Sequence, residues 1–199
     1  FATLRMDEVV RLRKQMNTSI ERKEGFSINY DAIFVKAVAL ALGEFPILQA
    51  QWNAEGLLFP DNINIGIAVA LNDGLVVPVV PNVESKSLFS IAKEIQHLVS
   101  LAKSGELLPD QMNGGTFTIS NLGMYSIDGF TPVINLPESA ILGIGSIKEH
   151  PVVEGNSIII GQTAEISLTF DHRVVDGVPA AGFLQLIKSL LEEPYQLFM

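Results

Sequence analysis

The strongest constraint on the fold is a strict alternation of apolar and polar residues in 164–170. Ala, Ile, Leu and Phe occupy the even positions, and Glu, Ser and Thr occupy the odd positions. Successive side chains of a β-strand point to opposite faces, so this segment predicts a half-buried strand. The strand leads directly into Asp171-His172, and the apolar spacing of 183–191 beyond it predicts a helix. We therefore expect a sheet that packs one face against helices.

Segments of helical period alternate with short strands along the chain, which predicts a mixed α/β fold. Helices are expected at 7–16, 28–42, 88–102 and 183–191. Strands are expected at 49–52, 57–59, 63–71, 75–80, 116–120, 140–147, 158–160 and 164–170. Asn72-Asp73-Gly74 predicts a tight turn between two of them. Because no internal repeat or linker-like stretch interrupts the pattern, we expect one domain.

Composition narrows the classes of function. A length of 199 residues with 48% apolar types allows one sizeable core. The net charge of −9 disfavours binding to nucleic-acid phosphates or to an anionic membrane surface. Lys36 interrupts the longest apolar run, at 33–42, so no membrane span is expected. The absence of cysteine excludes a disulfide framework, a thiolate metal site and a cysteine nucleophile.

The three histidines are the remaining candidates for metal binding or acid–base chemistry. His97 lies among apolar residues of a predicted helix, and His150 lies in a predicted turn, so both are expected to have structural or solvent roles. No two histidines share a ligand-type spacing, and we expect no metal site. His172 differs because it follows a predicted strand directly, a place from which a side chain can reach a ligand.

His172 and Asp176 allow two interpretations. A histidine is largely neutral at pH 7 and can accept a proton from a hydroxyl or a thiol. Asp176 follows four residues later, beside Gly177, and could orient that histidine. Alternatively, the two side chains only cap and tether the last helix. The spacing alone does not decide between the two interpretations.

Several segments taken together resemble one known family. Residues 171–177, Asp-His-Arg-Val-Val-Asp-Gly, resemble the signature of the dihydrolipoamide acyltransferases, the E2 components of 2-oxoacid dehydrogenase complexes. Other stretches resemble the core of that family in the same order: 28–42, 74–80, 118–124, 130–135 and 137–145. The resemblance extends over residues 1–199.

The resemblance implies a fold like that of chloramphenicol acetyltransferase, and a homotrimer with each active site in a channel between two subunits. Coenzyme A is expected as a substrate at one end, and a lipoyl group, supplied by a separate lipoyl domain, at the other. His172 would be the general base, and Ser120 of the neighbouring subunit would stabilise the oxyanion. Asp176 would organise the loop around His172. Asp171 and Arg173 are expected to form an ion pair that shapes the same loop.

The resemblance also sets expectations for organisation. Residues 1–199 are expected to be an E2 catalytic domain that lacks an N-terminal segment, the lipoyl domain and the peripheral-subunit-binding domain. Trimers of the family join into cubic or dodecahedral cores and work with E1 and E3 components. The expected location is the cytoplasm of a bacterium or archaeon, or the mitochondrial matrix or a plastid.

Alternatives remain open at this point. A noncatalytic E2-like scaffold subunit would have the same fold. An acetyltransferase acting on a hydroxyl acceptor would carry His-His where this chain has Asp171-His172. Ser120 could instead be a strand-end hydroxyl that bonds a local backbone group. For the acyl group, acetyl is expected first and branched-chain acyl next.

Overall fold

The computed structural model describes residues 1–198, without the side chains of residues 21–24. The strands in this part of the chain are β1 (Ala2–Arg5), β2 (Gln51–Asn53), β3 (Gly56–Leu58), β4 (Ile65–Ile67), β5 (Val69–Leu71), β6 (Gly74–Val76), β7 (Val79–Val80), β8 (Phe117–Asn121), β9 (Ala140–Ile144), β10 (Lys148–Glu154) and β11 (Ser157–Phe170). Seven of them form one mixed sheet in the order β1-β11-β9-β8-β4-β7, with β10 paired to β11. Two short hairpins, β2–β3 and β5–β6, lie outside this sheet.

Four α-helices and several short 3₁₀ helices complete the described fold. The α-helices are α1 (Asp7–Glu24), α2 (Tyr30–Glu44), α3 (Leu88–Ser104) and α4 (Gly177–Glu192). The 3₁₀ helices are at Pro46–Gln49, Val83–Ser85, Pro109–Met112, Gly123–Tyr125 and Pro194–Phe198. None of the helices in the described part of the chain combines the length and the apolar character needed to cross a membrane.

The two faces of the sheet differ in chemistry, and β8 shows this clearly. Phe117 and Ile119 belong to the hydrophobic core, where the ring of Phe117 lies 5.5 Å from that of Phe183 in α4. Thr118, the residue between them, instead contacts the carboxyl group of Glu138. The same alternation continues in β11, so the period of two predicted for 164–170 is confirmed. One face thus packs on helices, and the other carries polar groups.

Helix α2 lies at the centre of the core. It contacts both α3 and α4, which explains why apolar residues occupy nearly every side of it. Asn29 caps the helix by accepting a hydrogen bond from the Ala32 N–H at 3.0 Å. The helix therefore begins at Tyr30, two residues later than the apolar pattern predicts.

The predicted mixed α/β architecture is confirmed. Strands β1 and β10 were not predicted, and His150 lies in β10 rather than in the predicted turn. Other differences lie at element boundaries. The strand predicted at 63–71 is two strands, because the Ala68 N–H donates to Ile119 O and the chain then leaves the sheet to pair with β6. The strand predicted at 158–160 is the first part of β11, which continues as far as Phe170. Helix α1 extends beyond the predicted 7–16 to Glu24.

Candidate active site

The turn between β11 and α4 is held by backbone hydrogen bonds. The Asp171 N–H donates to Ser139 O at 2.8 Å, which ties the turn to the start of β9. Asp171 O then accepts from the N–H groups of Val174 and Val175 at 2.9 and 3.0 Å. Val175 is buried. The backbone around the predicted catalytic histidine is therefore well anchored.

An ion pair shapes the same turn, as the sequence predicts. Arg173 Nη2 lies 2.6 Å from Asp171 Oδ2, and the Arg173 N–H donates to Asp171 Oδ1 at 2.9 Å. These hydrogen bonds lower the pKa of the Asp171 carboxyl. The Arg173 guanidinium also lies 5.9 Å from the centre of the Trp52 ring, which connects the turn to the β2–β3 hairpin.

His172 is presented to solvent at the end of β11. Its side chain is 72% exposed, and its ring lies 5.6 Å from that of Phe170. Nδ1 is 3.8 Å from Asp176 Oδ1, close enough for electrostatic orientation but too long for a hydrogen bond. Asp176 occupies the N-cap position of α4, yet its side chain makes no capping hydrogen bond. Side-chain capping of α4 is thus not what Asp176 does in this structure.

Ser120 lies near the end of β8, on the polar face of the sheet. It is half-buried and pairs with Gly143 of β9 in a parallel ladder. Within the described residues, its hydroxyl makes no hydrogen bond to a local backbone group. Ser120 borders two cavities of about 490 and 340 Å³. The larger is mainly apolar, with Ile67, Val69 and Val99 among its walls.

His172 and Ser120 do not meet within one chain. Ser167 of β11 and Ser120 of β8 both pair with Gly143, so they lie at the same level of the sheet on either side of β9. His172 follows Ser167 by five residues, beyond the opposite end of β8. With ordinary strand rise and spacing, the two Cα atoms lie on the order of 15–20 Å apart.

The carboxyl group of Glu138 is buried on the polar face of the sheet and is not among the predicted site residues. Glu138 Oε2 accepts from Thr118 Oγ1 at 2.6 Å, and Oε1 accepts from Asn135 Nδ2 at 3.2 Å. Burial raises the pKa of Glu138 to about 7, against the lowering effect of these hydrogen bonds. The sequence does contain a signal, because Glu138 stands two residues before the buried apolar strand β9.

A second acid, half-buried, lies behind Ser120. Asp31 Oδ1, in the first turn of α2, accepts a hydrogen bond from Asn121 Nδ2 at 2.6 Å. Burial raises the pKa of Asp31, and the bond from Asn121 partly opposes this. The sequence shows Asp31 ahead of an apolar helix but does not indicate its partner, which is 90 residues away.

The titratable groups of the described residues do not form a metal site. Among the described side chains, those of residues 1–20 and 25–198, no three His, Asp or Glu groups converge as a metal site requires.

Comparison with solved structures defines the class of fold. A chloramphenicol acetyltransferase matches with a TM-score of 0.62 at 14% identity, over 96% of this chain and 86% of that chain. The cubic core of the pyruvate dehydrogenase multienzyme complex matches with a TM-score of 0.95 at 34% identity, over 100% and 82%. A dihydrolipoamide acetyltransferase of Azotobacter vinelandii gives 0.95 at 33%, with the same coverage. The fold is the chloramphenicol-acetyltransferase-like fold of E2 catalytic cores.

The family model for 2-oxoacid dehydrogenases acyltransferase (catalytic domain) matches residues 1–199. The chain belongs to this family, as its motifs predict.

Three curated relatives illustrate the range of acyltransferases to which the chain is similar. A dihydrolipoyllysine-residue acetyltransferase component of the pyruvate dehydrogenase complex from Rickettsia felis is 36% identical, over 95% of this chain and 46% of its own length. The succinyltransferase component of the 2-oxoglutarate dehydrogenase complex from Bartonella vinsonii subsp. berkhoffii is 40% identical, over 100% and 48%. The branched-chain lipoamide acyltransferase component from Bacillus subtilis is 40% identical, over 92% and 44%. The chain thus spans about half the length of these relatives.

Proposed function

We propose that this chain transfers an acyl group from a dihydrolipoyl thioester to coenzyme A as the catalytic part of a 2-oxoacid dehydrogenase complex. Membership of the acyltransferase family supports the reaction class. The main supporting observation is the solvent-facing side chain of His172 on an anchored turn. Ser120 and Asp176 stand at fixed separations from His172 in the sequence.

That spacing supports the roles of these residues. The solved structure of the Azotobacter vinelandii enzyme comes from work on the role of a serine, a histidine and an asparagine in its catalytic mechanism. In that enzyme the histidine follows the serine by 52 positions, and the asparagine follows the histidine by 4. Ser120, His172 and Asp176 have the same separations. This chain carries an acid where that enzyme has an amide, and we assign Asp176 the role of orienting His172.

In the proposed reaction, His172 acts as the general base. A thiol has a pKa near 8.5 and is only a few per cent ionised at neutral pH, so a positioned base increases the fraction that reacts. Because Nδ1 is the ring nitrogen closer to Asp176, Nε2 is the atom that takes the proton from the thiol of coenzyme A. The thiolate attacks the thioester carbonyl, and the carbon–oxygen double bond becomes an oxyanion.

Ser120 is proposed to donate a hydrogen bond to that oxyanion. One such donor is worth about 10² to 10³ in rate. When the intermediate collapses, the bond to the dihydrolipoyl sulfur breaks, and that sulfur takes the proton back from His172. A thioester is both consumed and formed, so the reaction needs no external source of energy.

Two copies of the chain are needed to complete this site. His172 and Ser120 are on the order of 15–20 Å apart in one chain, too far to act on one carbonyl. We propose a homotrimer in which His172 of one subunit faces Ser120 of the next. The likeness to a cubic core supports a larger assembly. A lipoyl domain and E1 and E3 components are the proposed partners, and the bacterial relatives support a cytoplasmic location.

The acyl group is proposed to be acetyl or a branched-chain acyl group. The apolar walls of the cavity beside Ser120 suit a small apolar acyl group. Lys103 and Gln96 also line this cavity and would suit the carboxylate of a succinyl group. The relatives named above include all three kinds of acyltransferase, so a direct comparison of donors is required.

The test is transfer from acetyl-, isobutyryl- and succinyl-dihydrolipoamide to coenzyme A, with wild type, His172→Ala and the control His97→Ala. We expect transfer from at least one donor, its loss in His172→Ala, and wild-type rates in His97→Ala, because His97 is an exposed helix residue. Oligomer mass, measured by light scattering, should be unchanged in both variants. Absence of transfer from every donor, with a stable oligomer, would favour the noncatalytic scaffold. Near wild-type transfer in His172→Ala would refute the assigned base.

A further inference from the structure

The chain turns sharply just after Ser120. Strand β8 ends at Asn121, and a 3₁₀ helix at Gly123–Tyr125 follows at once. The Leu122 N–H donates to Ile144 O at 3.0 Å, which holds one side of the turn to β9. The position of the Ser120 hydroxyl therefore depends on what fixes this turn.

The Asn121 side chain bridges the turn and α2. Its Nδ2 donates to Asp31 Oδ1 at 2.6 Å, and its Oδ1 accepts from the Gly123 N–H at 2.8 Å. The amide therefore uses both ends, one toward the helix and one toward the turn. If the bond to Asp31 is lost, the amide can rotate away from Gly123.

The turn has little room to adjust. A Cβ atom on Gly123 would lie 3.0 Å from Asn121 Oδ1 and 3.0 Å from Gly145 O. The backbone is thus packed directly against both groups, and only glycine fits here without displacement. A shift of the Asn121 side chain is transmitted to the backbone that follows Ser120.

Asp31 is a rigid anchor for this arrangement. It lies in the first turn of α2, which Asn29 caps and which packs between α3 and α4. Among the described residues, no cation lies within ion-pair distance of Asp31. Arg13, which borders a cavity that Asp31 also lines, instead donates to Ile28 O and stacks on Tyr30. The carboxyl group is therefore committed to Asn121.

We infer that Asp31 is a positioning residue for the transfer reaction: through Asn121 it fixes the turn that places the Ser120 hydroxyl at the oxyanion. The inference rests on the proposed function. Asp31 borders the cavity of about 490 Å³ beside Ser120, but its Oδ1 accepts the hydrogen bond from Asn121, and the effect that we assign to it passes through Asn121 and Ser120. A bond between residues 31 and 121 thus couples the buried helix to the transfer site.

Kinetics of Asp31→Ala, Asp31→Asn and the double variant Asp31→Ala/Ser120→Ala test this inference. We expect Asp31→Ala to lower kcat about tenfold with little change in KM. Removal of one hydrogen-bond donor to an oxyanion lowers kcat by about 10² to 10³, and Asp31→Ala only displaces the Ser120 hydroxyl, so its effect should be smaller. Asp31→Asn should restore most of the rate, because its Oδ1 can still accept from Asn121. The double variant should be no slower than Ser120→Ala alone. Ser87→Ala is the matched control: it removes a helix cap from α3, at a distance from Ser120, and should leave kcat unchanged.

The outcomes separate this inference from the proposed function. Transfer by wild type with unchanged kcat in Asp31→Ala would overturn the inference alone, and so would losses that add fully in the double variant. No transfer by wild type would overturn the proposed function and the inference with it. Hydrogen exchange gives an independent readout: the Gly123 amide should exchange faster in Asp31→Ala than in wild type or Ser87→Ala. Equal exchange in all three proteins would also refute the inference.

Discussion

Ser120 lies near the C-terminal end of β8, and His172 of the same chain lies beyond the opposite end of that strand. Both Ser120 and Ser167 pair with Gly143, and His172 is five residues past Ser167. No adjustment of a side chain closes a gap on the order of 15–20 Å. The two groups can therefore act together only across an interface between two copies of the chain.

This relationship predicts complementation between inactive variants. His172→Ala and Ser120→Ala subunits, unfolded together and refolded as mixed trimers, should form some sites with both groups intact. In an equal mixture, about one quarter of the sites combine an intact histidine from one subunit with an intact serine from the next. We expect about that share of wild-type activity. Separately refolded proteins mixed afterwards are the control, and equal activity in the two mixtures would argue against a shared site.

The hydroxyl of Ser120 has its own expected signature. Ser120→Ala should reduce kcat by about 10² to 10³ with little change in KM, because the hydrogen bond strengthens only as the oxyanion forms. Steady-state kinetics with the preferred donor provides the measurement. Ser100→Ala, on the exposed side of α3, is the matched control. If the oligomer dissociated in Ser120→Ala, the serine would instead have a structural role.

Glu138 should make folding stability depend on pH. Burial raises its pKa from 4.5 to about 7. As the pH rises, the Glu138 carboxyl group ionises near pH 4.5 in the unfolded chain but only near pH 7 in the folded chain. The free energy of unfolding therefore falls between these two pH values, and the contribution of Glu138 is lost above about pH 7. At pH 8, Glu138→Gln should be more stable than wild type by about 3 kcal/mol, whereas at pH 4 the two should be similar. Urea unfolding at both pH values measures the difference. The exposed Glu149→Gln is the control, and a constant difference between wild type and Glu138→Gln would contradict the prediction.

Trp52 should report on the turn that carries His172. It is the single tryptophan of the chain, and the Arg173 guanidinium lies 5.9 Å from its ring centre. Removing that cation in Arg173→Gln exposes more of the ring, so the emission maximum should move to longer wavelength. We expect kcat to fall by less than about tenfold, because the backbone bonds of Asp171 remain. Arg11→Gln, on α1, is the control; an unchanged spectrum in Arg173→Gln would show that the stacking does not persist in solution.

Much of the fold could be predicted from local patterns. The period of two in 164–170 predicted the second half of β11, and the spacing of 88–102 predicted α3 to within two residues at its end. His172 was located correctly at the end of a strand because that position follows from the pattern just before it. The ion pair of Asp171 and Arg173 was also predicted and is confirmed, since the two residues are close in sequence.

The sequence by itself thus determined the helices, most of the strands, and the motif that indicates the family. Only the tertiary structure decided that Asp31 meets Asn121, that Glu138 meets Thr118, and that Ser120 and His172 are far apart in one chain. Propensity and periodicity act over a few residues, whereas these relationships depend on the order and register of strands that are distant in sequence. A one-residue slip between β8 and β9 would move Ser120 to the opposite face, and nothing in either strand alone sets that register.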